Sequence, residues 1–229
     1  MAGLMLGDFN MQCSIKGKQL ANHVHKQICL FYPDGFNIEI SNIEKCINSA
    51  LDRVEYCFRN NRNKYYCNEN NETLFNHLNA DHYATFLYFL SNTIWLEFKD
   101  EMLSAKIFLL NKALHGIDLF YEISMPDIFM LVHPLGTVLG RASYSNYLVV
   151  YQGCTVGSVS GSGFPSIDEH LTMYSNSSLL GDCKVGSNVT IGANSYAINT
   201  LIEKNQIVVG QYPHLKMTQS KPTKSIFFH

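Results

Sequence analysis

The residues of this sequence best suited to acid–base chemistry are histidines, because an imidazole takes a proton from a hydroxyl group near neutral pH. His133 and His170 lie in a repetitive C-terminal half, and His115 precedes that half in the segment LHGID. His133 is a candidate general base, with packing at a junction between two parts of the fold as the alternative. His170 fits an exposed turn better, and His115 fits either a pocket wall or a core position.

A catalytic imidazole usually has a carboxylate partner that fixes its tautomer and stabilises its protonated form. Asp118, Glu122 and Asp127 are near His133 or His115 in the sequence, and spacing alone does not decide among them. The catalytic residues that we expect are His133, Asp127 and His115.

Several other polar residues could hold a hydroxyl-bearing ligand beside His133. Arg141 could bind an anionic group of that ligand or only a surface carboxylate. Asp81 opens a helix, where an acidic residue is commonly just a cap. The ligand-binding residues that we expect are Asp81, Asp118, Arg141, Tyr151 and Gln152.

The cysteines and histidines do not form a pattern that is typical of a metal site. The seven cysteines are odd in number, widely spaced and never arranged as CxxC, which indicates free thiols in a reducing compartment. A zinc site of three histidines lacks its third histidine in the repeats, where His133 and His170 are expected about 10 Å apart. We therefore expect no metal.

The overall charge also limits the classes of partner. The chain has 17 basic and 19 acidic residues, a net charge of −2, and no cluster of Lys and Arg. Such a chain has no general field that attracts phosphate backbones or anionic lipid. The first residues do not resemble a signal peptide, and no run approaches the roughly 20 apolar residues of a membrane span. We expect a cytoplasmic protein without nucleic acid or membrane partners.

Two regions of different periodicity must position these side chains. From about Lys16 to Met125 apolar residues recur at helical spacing, and we expect four or five helices. Ser41 and Glu44 have the spacing of a capping box, and another helix is expected from about Leu103 to Tyr121. The clearest apolar stripe is formed by Tyr83, Phe86, Leu87, Leu90, Ile94 and Phe98.

After Pro126 the apolar residues recur every six positions in two registers. This spacing predicts a triangular coil in which each six-residue segment points one side chain inward, and glycines are expected at the corners. A β-sandwich would need alternating strands and hairpin signals, which do not dominate. The inward positions are Val132, Val138, Tyr144, Val150 and Val156, then Ile167, Met173, Leu179, Val185, Ile191 and Ala197.

The break between the two registers predicts a loop that leaves the coil at residues 157–166, GSVSGSGFPS. Loops on a rigid scaffold commonly carry ligand contacts, although a plain connector is the alternative. The fold class is therefore α+β, with a helical N-terminal domain over residues 1–125, a parallel β-helix over 126–212 and a tail over 213–229.

Several segments together resemble the serine acetyltransferase branch of the hexapeptide-repeat acyltransferases. They are FLYFLSNTIW, KALHGIDLFYEI, PDIFMLVHPLGTVLGRA, VVYQGCTVG, the loop ending in GFPSI, and GSNVTIGANSYAINT. The resemblance implies a left-handed β-helix and acetyl transfer from acetyl-CoA to a hydroxyl, with a histidine as general base. It also implies a homotrimer with acetyl-CoA in the groove between subunits, and the trimers could pair into hexamers.

The resemblance also suggests which residues bind acetyl-CoA and where the chain departs from the family. Leu131 stands where the family has an aspartate before its His-Pro pair, and Phe164 stands where it has a second active-site histidine. The acceptor could therefore be L-serine or a sugar of polysaccharide biosynthesis. An N-acetyltransferase of amino sugars and a non-catalytic scaffold are two further hypotheses. The acetyl-CoA contacts expected are Gly157, Gly161, Gly163, Ser175, Gly192, Ala193, Lys204 and Lys216.

Overall fold

The computed structural model describes residues 11–36, 38–61, 63–161 and 163–220. Four helices come first: α1 (Gly17–Phe31), α2 (Ile40–Phe58), α3 (Ala80–Phe98) and α4 (Glu101–His115). Two short parallel strands, β1 (Met11–Cys13) and β2 (Thr73–Phe75), pair beside them. Parallel strands then fill the C-terminal half, which confirms the α+β fold class.

The α3–α4 hairpin is the centre of the helical part. Asn79 caps α3 by accepting hydrogen bonds from the N–H groups of Asp81 and His82. The two-residue connection folds α4 back along α3, because Ser91 donates to the carbonyl of Ser104 and Asn111 donates to the carbonyl of Ala84. The start of α3 therefore lies beside the end of α4.

Two expected helix ends differ from those observed. Helix α2 starts at Ile40 after Glu39, with no side-chain cap, so Ser41 lies inside the helix and the expected capping box is wrong. Helix α4 ends at His115 because Gly116 takes a left-handed conformation (φ +66°) and closes the last turn. The segment from Ile117 to Tyr121 is therefore not helical.

The strands of the C-terminal half form three parallel sheets. One contains β3 (Phe129–Val132), β5 (Leu148–Tyr151), β8 (Leu171–Met173), β11 (Val189–Ile191) and β14 (Gln206–Val209). The second contains β4 (Val138–Leu139), β6 (Thr155–Gly157), β9 (Ser178–Leu180) and β12 (Tyr196–Ile198), and the third contains β7 (Ser166–Ile167), β10 (Lys184–Val185) and β13 (Leu201–Ile202). At the end of the chain, β15 (Lys216–Gln219) pairs antiparallel with β14.

Successive strands of each sheet are one coil apart in sequence. Ser178 pairs with Tyr196, 18 residues later, whereas Thr155 pairs with Ser178, 23 residues later. The extra five residues lie between β6 and β7, within the segment where a loop was expected. The coil is therefore a three-sided parallel β-helix with one protruding loop.

The interior of this β-helix contains stacked aliphatic side chains, and most of the expected inward positions are buried. The first coil is the exception, because Val138 is 39% exposed whereas Leu139 is 1% exposed. Leu131 pairs with Val150 and Leu139 pairs with Val156, so the inward residues are 8 positions apart in the first coil and 6 in the second. The longer turn after β3 shifts the register, and Val132 and Val138 are not the stacked residues.

Asparagine as well as glycine occupies left-handed positions in the β-helix. Asn176, Asn188, Asn194, Asn199 and Asn205 have φ between +48° and +60°. Asparagine tolerates this conformation better than most residues. Neighbouring coils are linked by side-chain hydrogen bonds of 3.2 Å between Asn176 and Asn194 and 2.7 Å between Asn188 and Asn205.

Among the described residues, no helix has both the length and the apolar character required to cross a bilayer.

Candidate active site

The site with the clearest acid–base geometry lies where the β-helix meets α3. His133 follows β3 and takes a left-handed conformation (φ +49°), and its backbone N–H donates to Oδ1 of Asp81 at 3.0 Å. Its ring Nδ1 is 4.0 Å from the other carboxylate oxygen. The His133 side chain is 79% exposed and that of Asp81 is 16% exposed. An accessible imidazole is thus backed by a sheltered carboxylate.

Burial raises the pKa of Asp81 above its usual value, while the hydrogen bond and the charge of His133 act in the opposite direction. A neighbouring positive charge stabilises a partly buried carboxylate more than it stabilises a fully exposed one.

The turn that begins at His133 also contacts the end of α4. Gly136 donates its N–H to the carbonyl of Gly116 at 3.0 Å. A side chain at Gly116 would come within 2.7 Å of the Leu135 side chain, so the two segments pack closely. His115, the residue before Gly116, is therefore next to the same turn.

His115 is held as a neutral imidazole. Its Nδ1 is 2.7 Å from Oδ1 of Asn111, whose amide N–H donates to the carbonyl of Ala84 and so fixes which amide atom faces the ring. An amide oxygen only accepts, so Nδ1 carries the proton and Nε2 is an acceptor. Burial lowers the pKa of His115 to about 4. A neutral imidazole of this kind can accept a hydrogen bond at Nε2 but is a weak base near neutral pH.

Two histidines that sequence reasoning missed continue this surface. The His115 ring packs edge-on against Tyr83 at 5.8 Å, Tyr83 lies 5.8 Å from His23, and His23 lies 5.2 Å from His77. Burial and the nearby charge of His77 lower the pKa of His23. These residues come from α1, α3, α4 and the segment before α3, so no local pattern in the sequence joins them.

Asp127 and His133 lie at opposite ends of β3. Asp127 precedes β3 whereas His133 follows β3, and six residues of extended chain span about 20 Å. Asp127 lines a separate pocket of 420 Å³ with Tyr144, Asn146 and Glu169 among its walls. The carboxylate that the structure places beside His133 is that of Asp81.

Two further expected ligand-binding residues have partners of their own. Asp118 accepts a hydrogen bond from Lys112 at 2.6 Å, although its backbone N–H bonds to Thr137 at the end of the His133 turn. Arg141 is exposed and lies 4.0 Å from Glu122, which matches the alternative of a surface carboxylate.

Tyr151 and Gln152 lie one coil beyond His133, because Tyr151 pairs with Val132. The Tyr151 ring stacks on Tyr174 of the following coil at 5.0 Å. Oε1 of Gln152 is buried without a hydrogen-bond partner among the described residues. We call this side of the coil the histidine edge; it consists of the turns at 133–137, 152–154, 174–177 and 192–195.

The residues expected to bind acetyl-CoA do not come together in one chain. Ser175, Gly192 and Ala193 belong to the histidine edge. Gly157, Gly161 and Gly163 belong to a second edge, the loop edge, which consists of residues 140–142, 157–161, 163–165, 181–183 and 199–200. Lys204 is exposed on the third edge, which consists of the turns at 168–170, 186–188 and 203–205. Lys216 is exposed on β15.

His170 also lies on the third edge, where its ring stacks on Tyr147 at 4.4 Å. Its ring is half-buried by that stacking and it is not part of the His133 site. Within the described residues, no three His, Cys, Asp or Glu side chains are grouped so that they could hold a metal ion.

Comparisons with known proteins find similarity to serine acetyltransferases. No protein-family model matches the chain. A curated serine acetyltransferase of Staphylococcus epidermidis is 27% identical over 124 residues, which cover 52% of this chain and 58% of the relative. The chain thus matches little more than half the length of this relative.

Solved structures extend the likeness in fold over most of the chain. The serine acetyltransferase of Neisseria gonorrhoeae in complex with serine superposes with a TM-score of 0.66 at 20% identity, over 88% of this chain and 83% of that one. A serine acetyltransferase in complex with CoA gives 0.60 at 19% identity, over 78% and 74%. The chain is therefore serine acetyltransferase-like in sequence and in fold.

Proposed function

We propose that this protein is an acetyl-CoA-dependent O-acetyltransferase in which His133 is the general base and Asp81 is its carboxylate partner. The observation that carries the proposal is the contact between these two residues at the junction of α3 and the β-helix, in a chain similar to serine acetyltransferases. The relative in complex with CoA supports acetyl-CoA as the donor.

The proposed reaction is a direct transfer. His133 takes the proton of the acceptor hydroxyl while that oxygen forms a bond to the thioester carbonyl carbon of acetyl-CoA. The carbon–sulfur bond then breaks, and the CoA sulfur leaves as a thiol after taking the proton from His133. Asp81 stabilises the imidazolium that exists between the two proton transfers, and the 4.0 Å gap to Nδ1 shortens when the substrates bind.

The two edges that carry the expected acetyl-CoA contacts suggest how the donor is bound. Gly161 and Gly163 of the loop edge and Ser175 and Gly192 of the histidine edge would line one groove if two copies of the chain packed side by side. We therefore propose a left-handed β-helix over residues 126–212 that assembles as a trimer in the cytoplasm, with acetyl-CoA between subunits. Sedimentation equilibrium tests this assembly: a mass of three chains is expected, and a monomer that binds acetyl-CoA normally would contradict it.

L-serine and a sugar are the two candidate acceptors. The serine complex of a structural relative supports L-serine. The charges near His133 favour a neutral sugar hydroxyl, since Lys112 and Asp118 pair with each other and Asp81 faces His133. His115 is neutral, so neither a free carboxylate nor a free cation is left among these residues for the two charges of an amino acid.

The test is the release of CoA from acetyl-CoA, measured with a thiol reagent, with L-serine, nucleotide-linked sugars and amino sugars offered in parallel. Turnover with serine alone supports a serine O-acetyltransferase, and turnover with a neutral sugar supports polysaccharide modification. Turnover with an amino sugar requires mass spectrometry of the product, because an N-acetyl bond would contradict O-transfer. If the protein neither releases CoA with any acceptor nor binds acetyl-CoA, the remaining hypothesis is a non-catalytic scaffold.

A further inference from the structure

Two buried polar side-chain atoms near the start of α3 have no hydrogen-bond partner among the described residues. They are the hydroxyl of Tyr66 and Nε2 of His82. Tyr66 is 3% exposed and His82 is 1% exposed. Buried polar groups are rarely left unpaired, because each costs about 1–3 kcal/mol. Two of them side by side point to a shared partner.

The tautomer of His82 follows from its other nitrogen. The backbone N–H of Asn76 donates to Nδ1 of His82 at 3.2 Å, so Nδ1 is an acceptor and Nε2 carries the proton. Burial lowers the pKa of His82 to about 4, which keeps the ring neutral. The unpaired atom is therefore an N–H donor.

The two rings meet next to Asp81. The centroids of Tyr66 and His82 are 4.5 Å apart, and both rings pack against Phe58. His82 follows Asp81 directly in α3. Burial raises the pKa of Tyr66, and the charges of Asp81 and Cys57 raise it further, so the Tyr66 hydroxyl is within electrostatic range of the Asp81 carboxylate.

We propose that Tyr66 and His82 form a buried polar site that holds one water molecule and, through it, keeps the Asp81 carboxylate ionised and turned toward His133. The water accepts hydrogen bonds from Nε2–H of His82 and from the Tyr66 hydroxyl, and it donates one to the Asp81 carboxylate. Three polar partners suffice for a buried water. Tyr66 and His82 are then positioning residues of the proposed reaction, because they act on His133 only through Asp81.

The first measurement is the pKa of the Asp81 carboxyl by carbon-13 NMR in the full chain, with the resonance assigned by its loss in Asp81→Asn. Tyr66→Phe is expected to raise this pKa by about 1, because it removes hydrogen-bond support for the ionised form. Tyr65→Phe is the matched control, since it removes the same atom from the neighbouring, 61% exposed tyrosine and leaves the pKa unchanged. An unchanged Asp81 pKa in Tyr66→Phe would overturn the proposal.

His82→Phe tests the second half of the site. If both residues act through the same water, Tyr66→Phe, His82→Phe and the double variant raise the Asp81 pKa by similar amounts. Fully additive increases would mean two separate contacts and would overturn the shared site. The midpoint temperature of Tyr66→Phe is a further readout: it falls if the hydroxyl is hydrogen-bonded through water, and it rises if the hydroxyl is unpaired.

The role of Tyr66 and His82 in the reaction rests on the proposed function, whereas their effect on the Asp81 carboxyl does not. If the chain transfers acetyl groups, the acidic limb of the pH profile of kcat/KM moves upward in Tyr66→Phe and stays in place in Tyr65→Phe. If no acetyl transfer is found, the NMR pKa still decides whether Tyr66 and His82 support Asp81.

Discussion

Asp81 and His133 are 52 residues apart in sequence, yet the His133 N–H donates to the Asp81 carboxylate at 3.0 Å and the His133 ring stays exposed. The contact joins the first turn of α3 to the first turn of the β-helix. The helical part therefore supplies a sheltered carboxylate, and the β-helix supplies an accessible imidazole.

Replacing Asp81 by asparagine tests the proposed pairing of Asp81 with His133. Asparagine keeps the shape and can still accept the His133 N–H, but it does not stabilise an imidazolium, so kcat is expected to fall by about 100-fold or more. Steady-state kinetics with the accepted substrate measures this change. Asp127→Asn is the control and is expected to leave kcat unchanged; equal losses in both variants would contradict the assignment.

His115 is expected to affect binding of the acceptor and not its deprotonation. Its pKa of about 4 makes it a weak base, whereas Nε2 can accept a hydrogen bond from a ligand hydroxyl. His115→Phe should raise the KM of the acceptor about tenfold, the value of one hydrogen bond, with a smaller effect on kcat. A loss of kcat at unchanged KM would instead indicate a base.

The α+β class and the β-helix could be predicted from sequence because the period of six is local and repeats over several coils. The contact between Asp81 and His133 could not be predicted, because it depends on how α3 packs against the first turn of the β-helix. His23 and His77 were missed for the same reason. The register of the first coil was wrong because the turn from His133 to Gly136 is longer than the later turns, which the six-residue period does not reveal.

Stability is expected to fall on acidification because of His82. The pKa of His82 in the folded protein is about 4, below its usual value of 6.5. The stability that depends on a neutral His82 is therefore fully present above pH 6.5 and is lost as the pH falls toward 4. The loss amounts to about 3 kcal/mol in the free energy of unfolding. Urea titrations at pH 7.5 and 4.5 measure it, and His82→Gln should show a shallower dependence; the same pH dependence in that variant would contradict the assignment.

The stacked interior of the β-helix is expected to supply much of its stability. Leu179 is fully buried between Val156 and Ala197, so Leu179→Ala should lower the free energy of unfolding by about 2–5 kcal/mol. Leu201→Ala is the matched control, because that leucine is 63% exposed and its loss should cost far less. Chemical denaturation compares the two variants. Similar losses in the free energy of unfolding would contradict the assignment of Leu179 to the interior and Leu201 to the surface.

The central claim is that His133 is the general base of an acetyl transfer from acetyl-CoA. His133→Asn and His170→Asn are matched variants, because both histidines have positive φ and asparagine tolerates that conformation. The decisive measurement is the rate of CoA release in the presence of the accepted acceptor. We predict a loss of about 100- to 10,000-fold in His133→Asn and little change in His170→Asn; full activity of His133→Asn would contradict the account.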